Sequence, residues 1–210
     1  MNKNLLPIAK EGIVYVATSS FIVLLLLLFG FEFLAFIGIL LTLTLIFSFR
    51  NPERALPEFS ELSVVAVSDG IVKAIDELED SEYAYRVEVE SNSLNVGILR
   101  TPFNATLSAV KHINGTRVSK KSKQFLDLNE MLELTFEDNN NNSIKIIHRV
   151  KQSFFPLYLD VINSQKLRQT SRYGVMINGI TTFYFPHNFR LNVNVGNELK
   201  ASESLMGYFS

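Results

Sequence analysis

Hydrophobic positions are distributed in two regimes along this chain. From Gly12 to Phe49 the only ionisable side chain besides Tyr15 is Glu32, whereas beyond Phe49 apolar and polar residues alternate in short runs. One helix over the first stretch would be about 55 Å long, at about 1.5 Å per residue, against a hydrocarbon core of about 30 Å. The pattern therefore predicts an N-terminal transmembrane α-helical hairpin, residues 1–50, with helices at about 12–29 and 33–49. The fold-back falls at Gly30-Phe31-Glu32, which places the glutamate at a hydrated headgroup surface. Lys3 and Lys10 precede the hairpin and Arg50, Arg54 and Lys73 follow it, so the positive-inside tendency puts both ends in the cytoplasm. A cleaved signal would carry a shorter apolar region followed by small residues. Here a second apolar stretch follows at once, so the hairpin is expected to be retained.

Pro52 and Pro57 punctuate the exit from the hairpin, because each disfavours helix in the residue before it. Residues 51–210 then read as a mainly β domain, a sandwich or barrel-sandwich hybrid. Runs at 63–67, 71–75, 85–90, 131–136 and 143–147 alternate or stay apolar over four to six residues, bounded by Gly, Asn, Asp and Ser. Further strands are expected at 95–99, 106–110, 155–159, 174–177, 181–185 and 192–195, with one short helical turn at 161–167. The run Asp138 to Asn142 reads as a hairpin loop, since Asn tolerates left-handed backbone. The acidic run from Asp76 to Glu82 reads as a solvated loop, and aromatics such as Phe154, Phe155, Tyr158 and Phe183 read as core.

Charge and composition narrow the chemistry. Twenty Lys+Arg against twenty-one Asp+Glu leave a net charge of -1 and no basic run, which excludes a nucleic-acid groove. Without cysteine there is no disulfide, thiolate metal site or cysteine nucleophile. His148 and His187 stand apart with no paired-ligand spacing, so no metal site is expected. Phosphate-loop, dinucleotide and nucleophile-elbow motifs are missing as well.

The segment Arg172-Tyr173-Gly174-Val175-Met176-Ile177-Asn178-Gly179-Ile180 resembles the RFGxxxxGS segment of the short bacterial membrane-bound phosphatidylserine decarboxylases. Leu6-Pro7-Ile8-Ala9-Lys10-Glu11-Gly12 is similar to the family's PIAxEG opening, and Phe49-Arg50-Asn51-Pro52-Glu53-Arg54 to its FRDPxR segment. Val67-Ser68-Asp69-Gly70-Ile71-Val72 resembles SPADGxV, and Pro102-Phe103-Asn104-Ala105-Thr106 resembles PFNVH. In that family a serine, supported by an aspartate and a histidine, cuts its own chain and becomes the pyruvoyl group that reacts with the substrate amine. Carried over residue by residue, Asp69 keeps the aspartate, Thr106 replaces the histidine, and Ile180 replaces the serine after the cleavage-equivalent Gly179.

The resemblance thus implies a scaffold without its cofactor. Isoleucine has no hydroxyl, and none of the ten glycines precedes a serine. Gly115-Thr116 is the nearest substitute bond, and His112-Ile113-Asn114 reproduces an HxN spacing in another register, although a histidine beside a lysine is commonly a solvated surface residue. Asp-Gly is also an ordinary turn dipeptide, so Asp69 reads equally as a hairpin residue whose loss costs about 1 kcal/mol. Replacing Thr106 by His together with Ile180 by Ser is the change expected to restore cutting. The first functional reading is a catalytically silent protein of the inner membrane, facing the cytoplasm, that binds an aminophospholipid headgroup or pairs with an active homologue. The rivals are an active decarboxylase with a displaced site, and a structural anchor for another protein.

Overall fold

The structure, a computed structural model, describes residues 6–54, 59–60, 62–79 and 82–210. Lys3, Pro57 and the Asp80-Ser81 part of the acidic run lie outside them. The chain divides into two compact units, Met1–Glu53 and Arg54–Ser210.

The first unit is a pair of helices, α1 (Lys10–Leu28) and α2 (Glu32–Ser48). Lys10 is the first helical residue and not part of the preceding flank. α1 is long and apolar enough to cross a membrane, and α2 is a shorter apolar helix. Gly30 joins them at φ 78°, a left-handed conformation that a side chain would strain. Small residues let the helices meet, with Ala35 buried and the Ser19 and Thr42 hydroxyls 2.6 Å apart. The ends are tied together, since Ala9 N–H donates to the Phe49 carbonyl at 2.8 Å and Asn51 N–H to that of Pro7 at 2.7 Å.

The second unit is mainly β. In chain order its elements are β1 (Ser63–Val65), β2 (Gly70–Glu77), β3 (Tyr85–Glu90), β4 (Ile98–Arg100) and β5 (Ala105–Ile113), then α3 (Phe125–Leu128). There follow β6 (Met131–Glu137), β7 (Ser143–Val150), β8 (Tyr158–Leu159), β9 (Lys166–Leu167), β10 (Arg172–Val175), β11 (Gly179–Phe185), β12 (Phe189–Leu191), β13 (Glu198–Leu199) and β14 (Leu205–Phe209). One eight-stranded antiparallel sheet runs β13-β2-β3-β11-β7-β6-β5-β9. Two three-stranded sheets, β1-β14-β12 and β4-β10-β8, accompany it. Val87, Val89, Phe183, Phe185, Ile144 and Ile146 of the large sheet share one core with Val64, Met206 and Phe209 of one small sheet and Leu99 and Tyr173 of the other. This is the sandwich arrangement that alternating strands with one apolar face require.

Asp138 to Asn142 closes the β6–β7 hairpin, with the Asp138 carboxylate accepting the Asn140 and Asn142 N–H groups. Two expected elements are replaced. Asn192 to Val195 is no strand, because Asn194 and Asn197 bond across a turn at Gly196, φ 91°. Residues 161–167 form no helical turn, because Ser164 and Gln165 bond to Leu107 at the sheet edge and carry the chain into β9. Among the aromatics, Phe154 is 96% exposed, while Phe183 and Tyr173 are fully buried.

Candidate functional site

Gly179 and Ile180 open β11, a central strand paired on both sides. Ile180 lies opposite Glu90 of β3 and Arg149 of β7. A Cβ at position 179 would fall 2.9 Å from the Arg149 carbonyl oxygen and inside the Met176 side chain, so only glycine fits. The Gly179 carbonyl accepts the Ser91 N–H at 2.9 Å, and the Ser91 hydroxyl donates to the backbone carbonyl of Asp69. Asp69 and the Gly179-Ile180 bond are therefore neighbours, linked through Ser91.

Asp69 is not an exposed hairpin residue. Its carboxylate pairs with Arg54 at 2.7 Å and accepts the Ala201 N–H at 2.8 Å, and both side chains of the ion pair are about 10% exposed. Arg54 also reaches Glu203 at 3.4 Å. The two motif segments that carry Arg54 and Asp69 thus meet in one buried ion pair, and the turn reading of Asp69 is overturned by it.

Thr106 stands elsewhere. Ile180 falls in the register row Arg149, Met131, Ile113, whereas Thr106 is opposite Glu137, which is opposite Ser143. The two stand three strands apart in the sheet, in rows that lie six residues apart along β6. Thr106 borders another cleft, with Asn104, Glu137, Lys166 and Arg168. His112 is also committed, its Nε2 lying 3.3 Å from Glu130, whose carboxylate accepts Arg117 Nε at 2.8 Å and the Leu157 N–H at 3.0 Å. It is thus an exposed surface histidine, as its sequence suggested, that also borders a buried carboxylate's network. Gly115-Thr116 is likewise held, with the Thr116 hydroxyl donating to the Leu128 carbonyl at 3.1 Å.

A polar cluster that the sequence reading treated as isolated lies on the core side of β11. His148 Nδ1 is 2.9 Å from the Thr181 hydroxyl, and Nε2 is 2.7 Å from the Tyr173 hydroxyl. Ser68 donates to Thr181 at 3.1 Å. All three of His148, Thr181 and Tyr173 are 0% exposed. Burial lowers the His148 pKa from 6.5 to about 3, so the ring is neutral, and burial pushes the Tyr173 phenol well above its ordinary value. Strand parity was the available signal: Ile144, Ile146, His148 and Val150 alternate onto the buried face of β7.

The family's pyruvoyl group does not fit these residues. Position 180 supplies only an isoleucine side chain, 3% exposed, and the preceding carbonyl is held in the sheet by Ser91. No three His, Asp or Glu side chains gather as a metal site among the described residues.

Residues 41–207 match the phosphatidylserine decarboxylase family model. A phosphatidylserine decarboxylase proenzyme of Geotalea uraniireducens is 27% identical over 98% of both chains. Proenzymes of the same description from Desulfotalea psychrophila and Ehrlichia chaffeensis are 24% and 26% identical over 96% of this chain, covering 96% and 91% of their own lengths.

Proposed function

The chain belongs to the phosphatidylserine decarboxylase family, which places it in phospholipid metabolism, and we propose that it is a silent member that neither cuts itself nor decarboxylates. Its role is then binding, at a membrane, of a phospholipid headgroup of the kind an aminophospholipid carries, or pairing with an active homologue. The observation that carries this reading is Ile180 at the position after Gly179. Chain cutting by an N-to-O acyl shift needs a β-hydroxyl within reach of the preceding carbonyl, and Ile180 supplies only hydrocarbon.

The purified protein is expected to show one uncut mass of 23.8 kDa and no trappable carbonyl. Fragments split at Gly179 would end this reading. Thr106→His with Ile180→Ser is expected to remain uncut also, because the register holds an imidazole at 106 far beyond hydrogen-bond reach of residue 180. This reverses the expectation drawn from sequence.

One observation favours a second reading, the active protein with a displaced site. Thr181 follows Ile180 directly, and its hydroxyl faces a neutral imidazole at 2.9 Å, the spacing of a nucleophile and its base. Attack of Thr181 Oγ1 on the Ile180 carbonyl would split the chain at 180–181. The regular pairing of Thr181 with both Val89 and His148 opposes the backbone twist this needs. Intact mass separates the readings, since a cut at 180–181 differs in mass from one at 179–180.

Topology is the remaining element, and we assign both ends of the helix pair to the cytoplasm from the basic flanks and the acidic turn at Glu32. A reporter fused after Ser210 should be active inside the cell, and activity only outside it would overturn the assignment.

A further inference from the structure

The outward face of β11 carries a charge arrangement that the silent-member reading leaves unexplained. A cavity of about 390 Å³ is bordered there by Ile180 and Thr182, by Arg86 and Glu88 of β3, by Arg149 of β7 and by Lys120 and Lys123 of the segment before α3. Four cations thus face one carboxylate.

The carboxylates within reach are already taken. Glu88 binds Lys120 at 2.5 Å and lies 3.6 Å from Arg86, which also meets Asp76 at 3.5 Å. Arg149 and Lys123 have no carboxylate within 4 Å among the described residues. Arg149 spends one N–H on the Met131 thioether, a weak acceptor, at 3.2 Å, and its Nε is buried with no acceptor among the described residues. Burial lowers its pKa and the neighbouring Arg86 pushes in the same direction, while Tyr184 and the more distant Asp127 and Glu88 offset this only in part. A half-buried guanidinium beside a second one is costly unless an anion compensates it.

We propose that this cavity is an anion site whose ligand is a phosphate ester, with Arg149 as its principal contact. Several oxygens around one phosphorus can meet a guanidinium fork, an ammonium and the hydroxyl of Thr182 together, whereas a lone carboxylate satisfies one fork and leaves the other cations bare. Leu126, 63% exposed at the rim, offers an apolar edge of the sort an acyl chain would touch. The phosphate can be carried by a lipid or be free, and the chemistry of the site is common to both. This inference deepens the headgroup-binding reading and rests on it.

The full-length protein in maltoside micelles is titrated with inorganic phosphate, with phosphoethanolamine, and with micelles doped with phosphatidylglycerol or phosphatidylcholine, following ³¹P line width. Saturable broadening is expected with at least one phosphate source. Arg149→Gln should weaken it at least about tenfold, the scale of a lost hydrogen bond to a charged group. Lys123→Gln, on an exposed loop, should weaken it also, and Lys200→Gln should leave it unchanged. Broadening by the doped lipid alone, lost in Arg149→Gln, supports the site with a lipid as source; broadening by the soluble phosphates alone supports it with a free ester. No saturable broadening, or broadening unaltered in both Arg149→Gln and Lys123→Gln, overturns the proposal. An uncut mass with silent ³¹P spectra refutes the anion site alone, whereas a cut chain refutes catalytic silence and leaves the binding result standing.

Discussion

Replacing Asp69 by alanine is expected to destabilise the β domain by about 3 to 5 kcal/mol, the scale of breaking a buried ion pair from one side. The substitution leaves the Arg54 guanidinium, about 10% exposed, with only the longer contact to Glu203 at 3.4 Å, and leaves the Ala201 N–H without its acceptor. Asp69→Asn keeps an acceptor for Ala201 while removing the charge, so it should cost less than Asp69→Ala. Urea unfolding followed by near-ultraviolet dichroism of the tyrosines measures both. A loss near 1 kcal/mol for Asp69→Ala, the value of an ordinary turn residue, would mean that the ion pair with Arg54 contributes nothing.

The second large effect is a loss of stability in acid that originates at His148. An unfolded chain takes up a proton on this ring below about pH 6.5, but the folded protein holds it neutral down to about pH 3. Between those values the unfolded state binds more protons, so stability is full above pH 6.5 and falls as the pH drops towards 3. The span corresponds to on the order of 5 kcal/mol from this one ring. Glu90 adds in the same direction at lower pH. Although burial raises its pKa, the Lys151 hydrogen bond at 2.5 Å and the charges of Lys151 and Lys120 outweigh that and lower it overall. Glu90 therefore stabilises the fold above the ordinary carboxylate range and loses that contribution as acid protonates it. His148→Gln keeps polar atoms between Thr181 and Tyr173 but cannot titrate, so its stability profile should lose the His148 slope between pH 6.5 and about 5.5, above the carboxylate range. An equal slope there in wild type and variant would place the acid sensitivity elsewhere.

Both effects arise from residues that sequence reading weighed too lightly, and the reason is physical. Whatever depends on a local period was visible in the order of residues. The unbroken apolar run over 12–49 with glycine at its middle required two helices, and α1 and α2 begin and end within two residues of that expectation. The alternation of Tyr85 to Glu90 defined β3 to the residue, and the asparagine run defined the β6–β7 turn. The motif segments likewise pointed to the family that the comparisons show.

What depends on pairing between distant residues was not visible. The edge strand β9 exists because Leu107, far back in sequence, accepts and donates hydrogen bonds there, and residues 161–167 alone read as helical. His148 looked solitary because its partners lie 25 and 33 residues away, at Tyr173 and Thr181. Thr106 aligned with a catalytic histidine by its place after Phe103-Asn104, yet its register with Glu137 sets it at the other end of the sheet from Ile180. The absence of a hydroxyl after Gly179 was settled by the sequence itself, since no fold can put an oxygen on isoleucine. Which cations gather around that residue was decided only by the tertiary structure, because strand register, and not spacing along the chain, brings Arg149 beside Arg86 with no carboxylate within 4 Å of it among the described residues.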